Sequence, residues 1–105
     1  MIFVETTVFT DAVGKLLDDD SYSAMQLALL LRPEAGALIR QSGGLRKLRW
    51  TLTGRGKRGG IRVIYFWHTA TETFYLLYAY PKNKQDDLTA KQLKVLRRLV
   101  REEFG

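Results

Sequence analysis

The stretch that decides the fold is IRVIYFWHTATETFYLLYAY, residues 61–80. Its first eight residues, IRVIYFWH, and its last seven, FYLLYAY, are rich in β-branched and aromatic side chains, which favour strands. The five residues TATET between them are enough for a turn. We therefore predict two antiparallel strands, over 61–68 and 74–80.

A third strand is predicted immediately upstream. Residues 47–52 alternate between polar and apolar side chains, which is the period of a half-buried strand. One face of this strand carries Lys47 and Arg49, and the other face is apolar. The glycine-rich and cationic tract TGRGKRGG, residues 53–60, connects it to the 61–68 strand, so the three strands form an antiparallel meander.

The N-terminal third predicts one short strand and two helices. IFVE, residues 2–5, is the strand. The first helix runs from Thr7, taken as its N-cap, through Leu17. The acids and the serine of residues 19–21 offer caps and favourable charge to a second helix that runs through Leu31.

The C-terminal segment predicts a last helix, capped by Asp87 or Thr89. Apolar side chains then recur at helical spacing over 93–100, and three arginines lie near the C-terminal end, where they suit the helix dipole. The order of elements predicts one α+β domain over residues 1–105. In it, two N-terminal helices and a C-terminal helix pack on one face of a mainly antiparallel, curved β-sheet.

Charge is distributed very unevenly along the chain. Residues 1–34 carry a net charge of −4, residues 35–71 carry +8 without a single acid, and residues 72–105 carry +2. Because a solvated surface normally mixes signs, this cation block indicates an anionic partner, and nucleic acid is the leading candidate. The alternative is a basic surface kept only for solubility.

The residue inventory excludes several kinds of chemistry. The chain has no cysteine, and its one histidine, His68, lies at a strand end, where a surface or capping role is favoured. No cluster of metal-ligand residues and no cofactor motif occurs, so we expect neither a metal nor a cofactor. No secretory or membrane-spanning segment is predicted either, and the absence of cysteine fits the cytoplasm. If the chain is an enzyme that acts on phosphodiesters, it must work without a metal. Such cleavage favours RNA as the substrate, because the 2′-OH of the RNA can act as the nucleophile.

Arg62 is the strongest single candidate for a residue that binds an anionic ligand. It lies inside a strand and alternates onto the same face as Ile64 and Phe66. A cation placed there is costly to desolvate, so it either pairs with a carboxylate or holds a ligand anion. We interpret it as a ligand for phosphate.

Two further basic groups lie near this strand in sequence. The glycines of the 53–60 tract allow its cations to approach a phosphate closely, although the tract could equally be a basic hairpin loop. Several lysines follow the last strand. We expect these groups to converge with Lys47 and Arg49 at one end of the sheet, and the alternative is three separate solvated edges that protect the strands.

The whole chain resembles a known toxin family. The pieces that carry the resemblance are IFVETTVF, GGLRKLRW, GKRGGIRVIYFW and FYLLYAYPKNKQDDLTAKQLKVLRRL. Together they are similar to the HigB branch of the RelE/ParE toxin superfamily.

This resemblance implies the toxin of a type II toxin-antitoxin module, acting in the cytoplasm. Such a toxin enters the A site of the 70S ribosome and cleaves translated mRNA, which leaves a 2′,3′-cyclic phosphate. It also implies a cognate antitoxin encoded next to the toxin, with a helix-turn-helix part. Operator DNA would then be bound only through the toxin-antitoxin complex.

The resemblance also suggests roles for individual residues. Arg62 corresponds to the strand arginine that holds the scissile phosphate. The catalytic set that we expect is Arg62, Arg49, Lys57, Lys82 and Lys47. The residues expected to bind RNA or the ribosome are Arg46, Arg55, Arg58, Lys84 and Lys91.

One departure from the family pattern concerns the general base. RelE-type enzymes place a tyrosine at the start of the last helix, where this chain has Leu88 and Thr89. Another residue must activate the 2′-OH, and the candidates are Lys57, Arg58 and Lys84.

Two other functions stay open at this point. ParE-like members of the superfamily share the fold but inhibit DNA gyrase, and they lack the dense cations on the central strands. The cation block of residues 35–71 favours the ribonuclease over this alternative. A non-catalytic RNA- or DNA-binding module would bind with steep salt dependence and leave RNA intact.

Overall fold

The computed structural model describes residues 1–51 and 60–104. Among these residues, no helix is both long and apolar enough to cross a bilayer. The elements along this part of the chain are β1 (Ile2–Glu5), α1 (Thr7–Leu16), α2 (Asp19–Leu31), β2 (Ala37–Leu38), β3 (Leu45–Trp50), β4 (Ile61–His68), β5 (Thr73–Pro81) and α3 (Ala90–Phe104). The predicted α+β class is confirmed.

The strands form one sheet in the order β1-β5-β4-β3-β2. The predicted antiparallel meander of β3, β4 and β5 is confirmed, and β1 joins β5 as a parallel edge strand. β3 begins at Leu45, two residues before the alternating pattern does, because its first residues pair with the end of β4. β2 was not predicted, since it has only two residues.

The first helix is capped by Thr6, so the prediction of Thr7 as N-cap is wrong by one residue. The Thr6 hydroxyl oxygen accepts a hydrogen bond from the Phe9 backbone N–H at 3.0 Å. It also donates to the Leu77 carbonyl oxygen at 2.8 Å. Thr6 is in the extended conformation that an N-cap requires, and its second bond ties the start of α1 to β5.

The second helix is capped by Asp18, one residue before the segment that was predicted to cap it. An Asp18 carboxylate oxygen accepts a hydrogen bond from the Ser21 backbone N–H at 2.7 Å. Asp19 and Asp20 lie in the first turn, where their charge suits the helix dipole.

One face of the sheet packs against α1 and α2, and we call it the α1/α2 face. Its core is formed by Phe9, Val13, Leu17, Met25, Leu29, Leu48, Ile61, Val63, Tyr65, Phe74, Leu76 and Ala79. The Tyr65 hydroxyl is satisfied inside this core, because it accepts from the Gly36 N–H and donates to the Pro33 carbonyl oxygen.

The opposite face packs against α3, and we call it the α3 face. Its core is formed by Leu45, Ile64, Leu77, Tyr80, Leu96 and Val100. The prediction that all three helices share one face is therefore wrong. β4 and β5 carry apolar side chains on both faces, so both faces need a cover.

Gly60 fixes the geometry at the start of β4. Its φ of 66° is in the left-handed region, and a Cβ atom there would lie 2.1 Å from the Trp50 carbonyl oxygen. Its own carbonyl oxygen accepts a hydrogen bond from the Lys82 backbone N–H at 3.1 Å. The end of β3, the start of β4 and the turn after β5 are thereby held together.

Candidate functional site

Strand pairing gathers three cations on the α3 face. In the register of β3 and β4, Arg49 lies opposite Arg62, and Lys47 lies opposite Ile64. Residues that are paired across antiparallel strands point to the same side of the sheet. Lys47, Arg49 and Arg62 therefore lie together on that side, although like charges in cross-strand contact cost stability.

Arg62 is the most buried of these cations. Its exposed fraction is 5%, and one of its terminal nitrogens, Nη1, donates to the Ile61 carbonyl oxygen at 3.2 Å. Arg49 is its neighbour on β3, and Tyr80 is its neighbour on β5. Arginine keeps its charge when buried, so the sheet holds a fixed positive charge at this position.

Tyr80 anchors the segment that follows β5. It is buried, and its hydroxyl donates to the Asp86 carbonyl oxygen at 3.4 Å. Burial, together with the nearby charge of Asp87, raises the pKa of the Tyr80 hydroxyl to about 12, although Arg62 acts in the opposite direction. Tyr80 is therefore a neutral hydrogen-bond donor at physiological pH.

Asp87 brings a carboxylate into the cationic group. It forms a hydrogen-bonded ion pair with the Lys47 ammonium. This bond, the charge of Lys47 and the weaker influence of Arg49 and Arg62 lower the pKa of the Asp87 carboxyl. Asp87 is thus ionised and lies within electrostatic reach of all three strand cations.

The start of α3 holds Asp87 in place. The Thr89 N–H donates to the Gln92 side-chain oxygen at 3.0 Å, and the Gln92 N–H donates to the Thr89 hydroxyl at 3.1 Å. This reciprocal pair is a capping box, so Thr89 is the helix cap of the two residues that the sequence offered. The Gln85 side-chain amide also donates to the Asp87 carbonyl oxygen at 3.0 Å.

A cleft of about 550 Å³ opens beside these residues. This volume lies within the range of about 300 to 1,000 Å³ that is usual for ligand sites. The residues that line it are Ala35, Ala37, Leu38, Ile39, Arg40, Lys47, Arg49, Asp87, Leu88 and Leu93. The cleft combines apolar walls with three cations, Arg40, Lys47 and Arg49, and one anion, which suits an anionic ligand that also has an apolar part.

Other predicted site residues lie outside the cleft. Lys82 and Lys84 are exposed in the turn after β5, where the Lys84 N–H donates to the Pro81 carbonyl oxygen at 3.1 Å. Lys91 is exposed in the first turn of α3 and borders a different groove, next to Val8 and Val95. None of these three lysines lines the cleft, and all of the 53–60 tract except Gly60 lies outside the described residues, so the expected convergence of the basic groups stays a prediction.

Arg46 lies on the α1/α2 face, because it is opposite Tyr65 in the register. Its guanidinium forms an ion pair with Glu34 at 3.3 Å and donates to the Gly36 carbonyl oxygen at 2.8 Å. The sheet thus separates Arg46 from Arg62. The alternation of β3 was the signal that could have shown this, since Arg46 is out of phase with Lys47 and Arg49.

Three predicted residues, Arg55, Lys57 and Arg58, lie outside the described residues. Among the residues that are described, no group of three or more His, Cys, Asp or Glu side chains could hold a metal ion. The ring of His68 hydrogen-bonds to the Thr71 hydroxyl at 2.7 Å and stacks on Phe104, contacts that are compatible with the predicted surface or capping role.

Sequence reasoning missed Asp87 and Tyr80 as members of this site. Asp87 was interpreted only as a helix cap, and its contact with Lys47 spans 40 positions of the chain. Tyr80 lies in a mostly apolar strand and had no feature that singled it out. A register shift between β4 and β5 also changes which residues of the two strands lie opposite each other, so its pairing with Arg62 could not be predicted from alternation. Arg40 belongs to the predicted cation block but had no feature that singled it out.

Residues 31–104 match the family model described as the RelE toxin of the RelE / RelB toxin-antitoxin system. The chain belongs to the RelE toxin family. The match covers more than two thirds of the chain and includes every residue that lines the cleft. Membership confirms the predicted RelE/ParE resemblance and a toxin role, and it implies an antitoxin as partner. Assignment to the HigB branch is compatible with the match and stays a prediction.

Proposed function

We propose that this RelE-family toxin is a ribosome-dependent, metal-independent endoribonuclease that cleaves translated mRNA in the cytoplasm. The observation that carries the proposal is the alignment of Arg49 with Arg62 across two strands, together with the position of Arg49 and Lys47 in the lining of the cleft. Three cations fixed by a sheet form a preorganised site for a phosphate that gains negative charge in the transition state.

The proposed reaction is an internal transesterification. The 2′-oxygen attacks the adjacent phosphorus, and the bond from phosphorus to the 5′-oxygen breaks. A base takes the 2′-OH proton, and the leaving 5′-oxygen receives a proton. The products are a 2′,3′-cyclic phosphate and a new 5′-OH end, so atoms and charge balance without any co-reactant.

Each cation has a distinct part in this proposal. Arg62, buried and held by strand pairing, binds a non-bridging oxygen of the scissile phosphate. Arg49, which is more exposed, contacts the same or the neighbouring phosphate. Lys47 is proposed to neutralise or protonate the leaving oxygen. The backbone N–H of Lys82 bonds to the Gly60 carbonyl oxygen, and the Lys82 side chain is proposed to contact the neighbouring phosphate of the RNA backbone.

The base that accepts the 2′-OH proton is proposed to be a lysine or an arginine from the basic segments of the chain. Its candidates are Lys57, Arg58 and Lys84. Lys84 is exposed in the turn after β5. A lysine crowded by other cations loses its proton more easily than an isolated one, whereas arginine keeps its proton, so the two lysines are favoured over Arg58.

The ribosome is proposed as the agent that presents mRNA in the reactive geometry. Alignment of the 2′-oxygen with the leaving 5′-oxygen accounts for a large share of the barrier, and the ribosome would supply it by holding the mRNA in place. The antitoxin, proposed to carry a helix-turn-helix, covers the basic surface or blocks ribosome entry. It also brings the complex to operator DNA. Co-expression of the adjacent small open reading frame should therefore neutralise the toxin.

Primer extension on mRNA translated in a purified system tests the proposed function. We expect the wild-type protein to produce breaks at codons only when ribosomes translate the message. The Arg62→Ala variant should produce none while its circular dichroism spectrum stays that of the folded wild type. Intact mRNA with folded wild-type toxin would contradict the proposal and would favour gyrase inhibition or simple nucleic-acid binding.

A further inference from the structure

The ion pair between Lys47 and Asp87 places an anion where the proposed function requires a phosphate. The Asp87 side chain is 71% exposed, whereas that of Lys47 is only 16% exposed. The carboxylate therefore approaches the cation from the solvent side of the cleft, which is the side from which a ligand would enter.

The backbone of Asp87 is anchored more firmly than its side chain. Its carbonyl oxygen accepts from Gln85, the preceding carbonyl of Asp86 accepts from Tyr80, and the capping box of α3 follows two residues later. The carboxylate itself bonds to Lys47, and most of the Asp87 side chain is exposed. A rotation of this side chain would thus free Lys47 without any movement of the strand or the helix.

Other acids do not share this position. Asp86 is exposed and does not line the cleft. Glu34 is paired with Arg46 on the α1/α2 face. Of the side chains that line the cleft, Asp87 is the acid; it forms an ion pair with Lys47, and Arg49 lines the same cleft.

We propose that Asp87 is an intramolecular counter-anion, which occupies the phosphate-binding cations in the free toxin and is displaced by the RNA backbone. This inference rests on the proposed function of the cleft. A tethered carboxylate competes with any phosphate that arrives by diffusion. Messenger RNA held in the ribosome is presented at a high effective concentration and displaces it, so Asp87 lowers binding to free RNA and favours ribosome-bound substrate.

Binding of free RNA to the full-length Asp87→Asn variant tests this role. The probe is a fluorescent RNA oligonucleotide with 2′-O-methyl groups, which cannot be cleaved, and binding is followed by anisotropy over a range of salt concentrations. Loss of a solvent-exposed competing ion pair should lower the dissociation constant about two- to fivefold. The plot of log affinity against log salt should steepen by about 0.7, the value for one additional phosphate contact on a single strand.

Asp86→Asn is the matched control, because it removes the same charge from the adjacent position outside the cleft. We expect it to change the dissociation constant less than Asp87→Asn and to leave the salt slope as in the wild type. Equal tightening in the two variants would reduce the effect to net charge and overturn the proposal. Unchanged or weaker binding by Asp87→Asn would overturn it as well.

The two proposals fail in different ways. If the wild type cuts translated mRNA but Asp87→Asn binds free RNA no more tightly, the nuclease stands and the counter-anion role falls. If Asp87→Asn binds RNA more tightly while no variant cuts translated mRNA, the cleft is a phosphate site without the proposed activity. If neither the wild type nor Asp87→Asn binds the RNA probe, the counter-anion role is overturned. Primer extension then tests separately whether the protein is a nuclease.

Discussion

The two faces of the sheet differ in how completely they are covered. On the α1/α2 face, strand side chains such as Val63, Tyr65 and Leu76 have no exposed surface, because two helices close over them. On the α3 face, one helix buries Ile64 and Leu77. The end of that face, where Lys47 and Arg49 lie, stays open as the cleft.

This difference separates the parts of the molecule that stabilise it from those proposed to act on RNA. The same β3–β4 pairing fixes apolar side chains on one face and cations on the other. The α1/α2 face, which we also call the closed face, sets the register of β3 and β4, and this register places Arg49 opposite Arg62. Changes on the closed face should therefore lower stability and leave the chemistry of the folded molecules intact. Changes at the cleft should lower the rate of RNA cleavage and leave stability nearly unchanged.

Phe9→Ala should have the largest effect on stability. The side chain has no exposed surface and lies in the core of the closed face, so its loss should cost about 3–5 kcal/mol in the free energy of unfolding. Urea unfolding measures this cost, and the neighbouring exposed Val8→Ala should stay within about 0.5 kcal/mol of the wild type. A lower rate of mRNA cleavage per folded Phe9→Ala molecule would break the separation between the two faces.

Thr89→Ala should have a smaller effect, at the start of the helix that borders the cleft. It removes the hydroxyl that caps α3, and such a loss costs about 1 kcal/mol in the free energy of unfolding. Thr69→Ala is the control, because Thr69 is exposed in the turn between β4 and β5. Equal unfolding midpoints in urea for the two variants would mean that the capping box does not hold α3 in place.

Titration of Tyr80 should change stability only at alkaline pH. Its pKa is about 12 in the folded protein, against 10.0 for an ordinary tyrosine, so the folded state holds this proton more tightly than the unfolded state does. Its contribution is intact below about pH 10 and is lost as the pH rises through about 12. Chemical unfolding at several pH values should show a shallower loss in Tyr80→Phe. Tyr78→Phe, in the same strand, is the comparison, and an equally shallow loss there would contradict this assignment.

Much of the closed face could be predicted from the sequence. Runs of β-branched and aromatic residues gave β4 and β5 within one residue at each end, because local propensity and turn spacing coincide there. The strand β1 was predicted at residues 2–5, but its parallel pairing with β5 could not be, since that pairing joins positions about 70 residues apart. The position of α3 was misread, although apolar side chains on both faces of β4 indicate a cover on each side.

The site was predictable only where it follows from strand alternation. The alternation of polar and apolar residues predicted that Lys47 and Arg49 share one face of the sheet. The β-branched and aromatic run of residues 61–68 predicted that Arg62 lies inside a strand. The contact of Lys47 with Asp87 depends on how the turn after β5 folds back, and no local pattern encodes that.

The most direct test compares Arg62→Gln with Arg46→Gln, because the two arginines lie on neighbouring strands and on opposite faces. Single-turnover cleavage of ribosome-bound mRNA is measured at saturating toxin, and circular dichroism confirms folding. The expected outcome is a loss of about 10²- to 10³-fold for Arg62→Gln, the usual effect of removing one donor to a charged transition state, and a rate near the wild type for Arg46→Gln. Equal losses in both variants, or wild-type cleavage by folded Arg62→Gln, would contradict it.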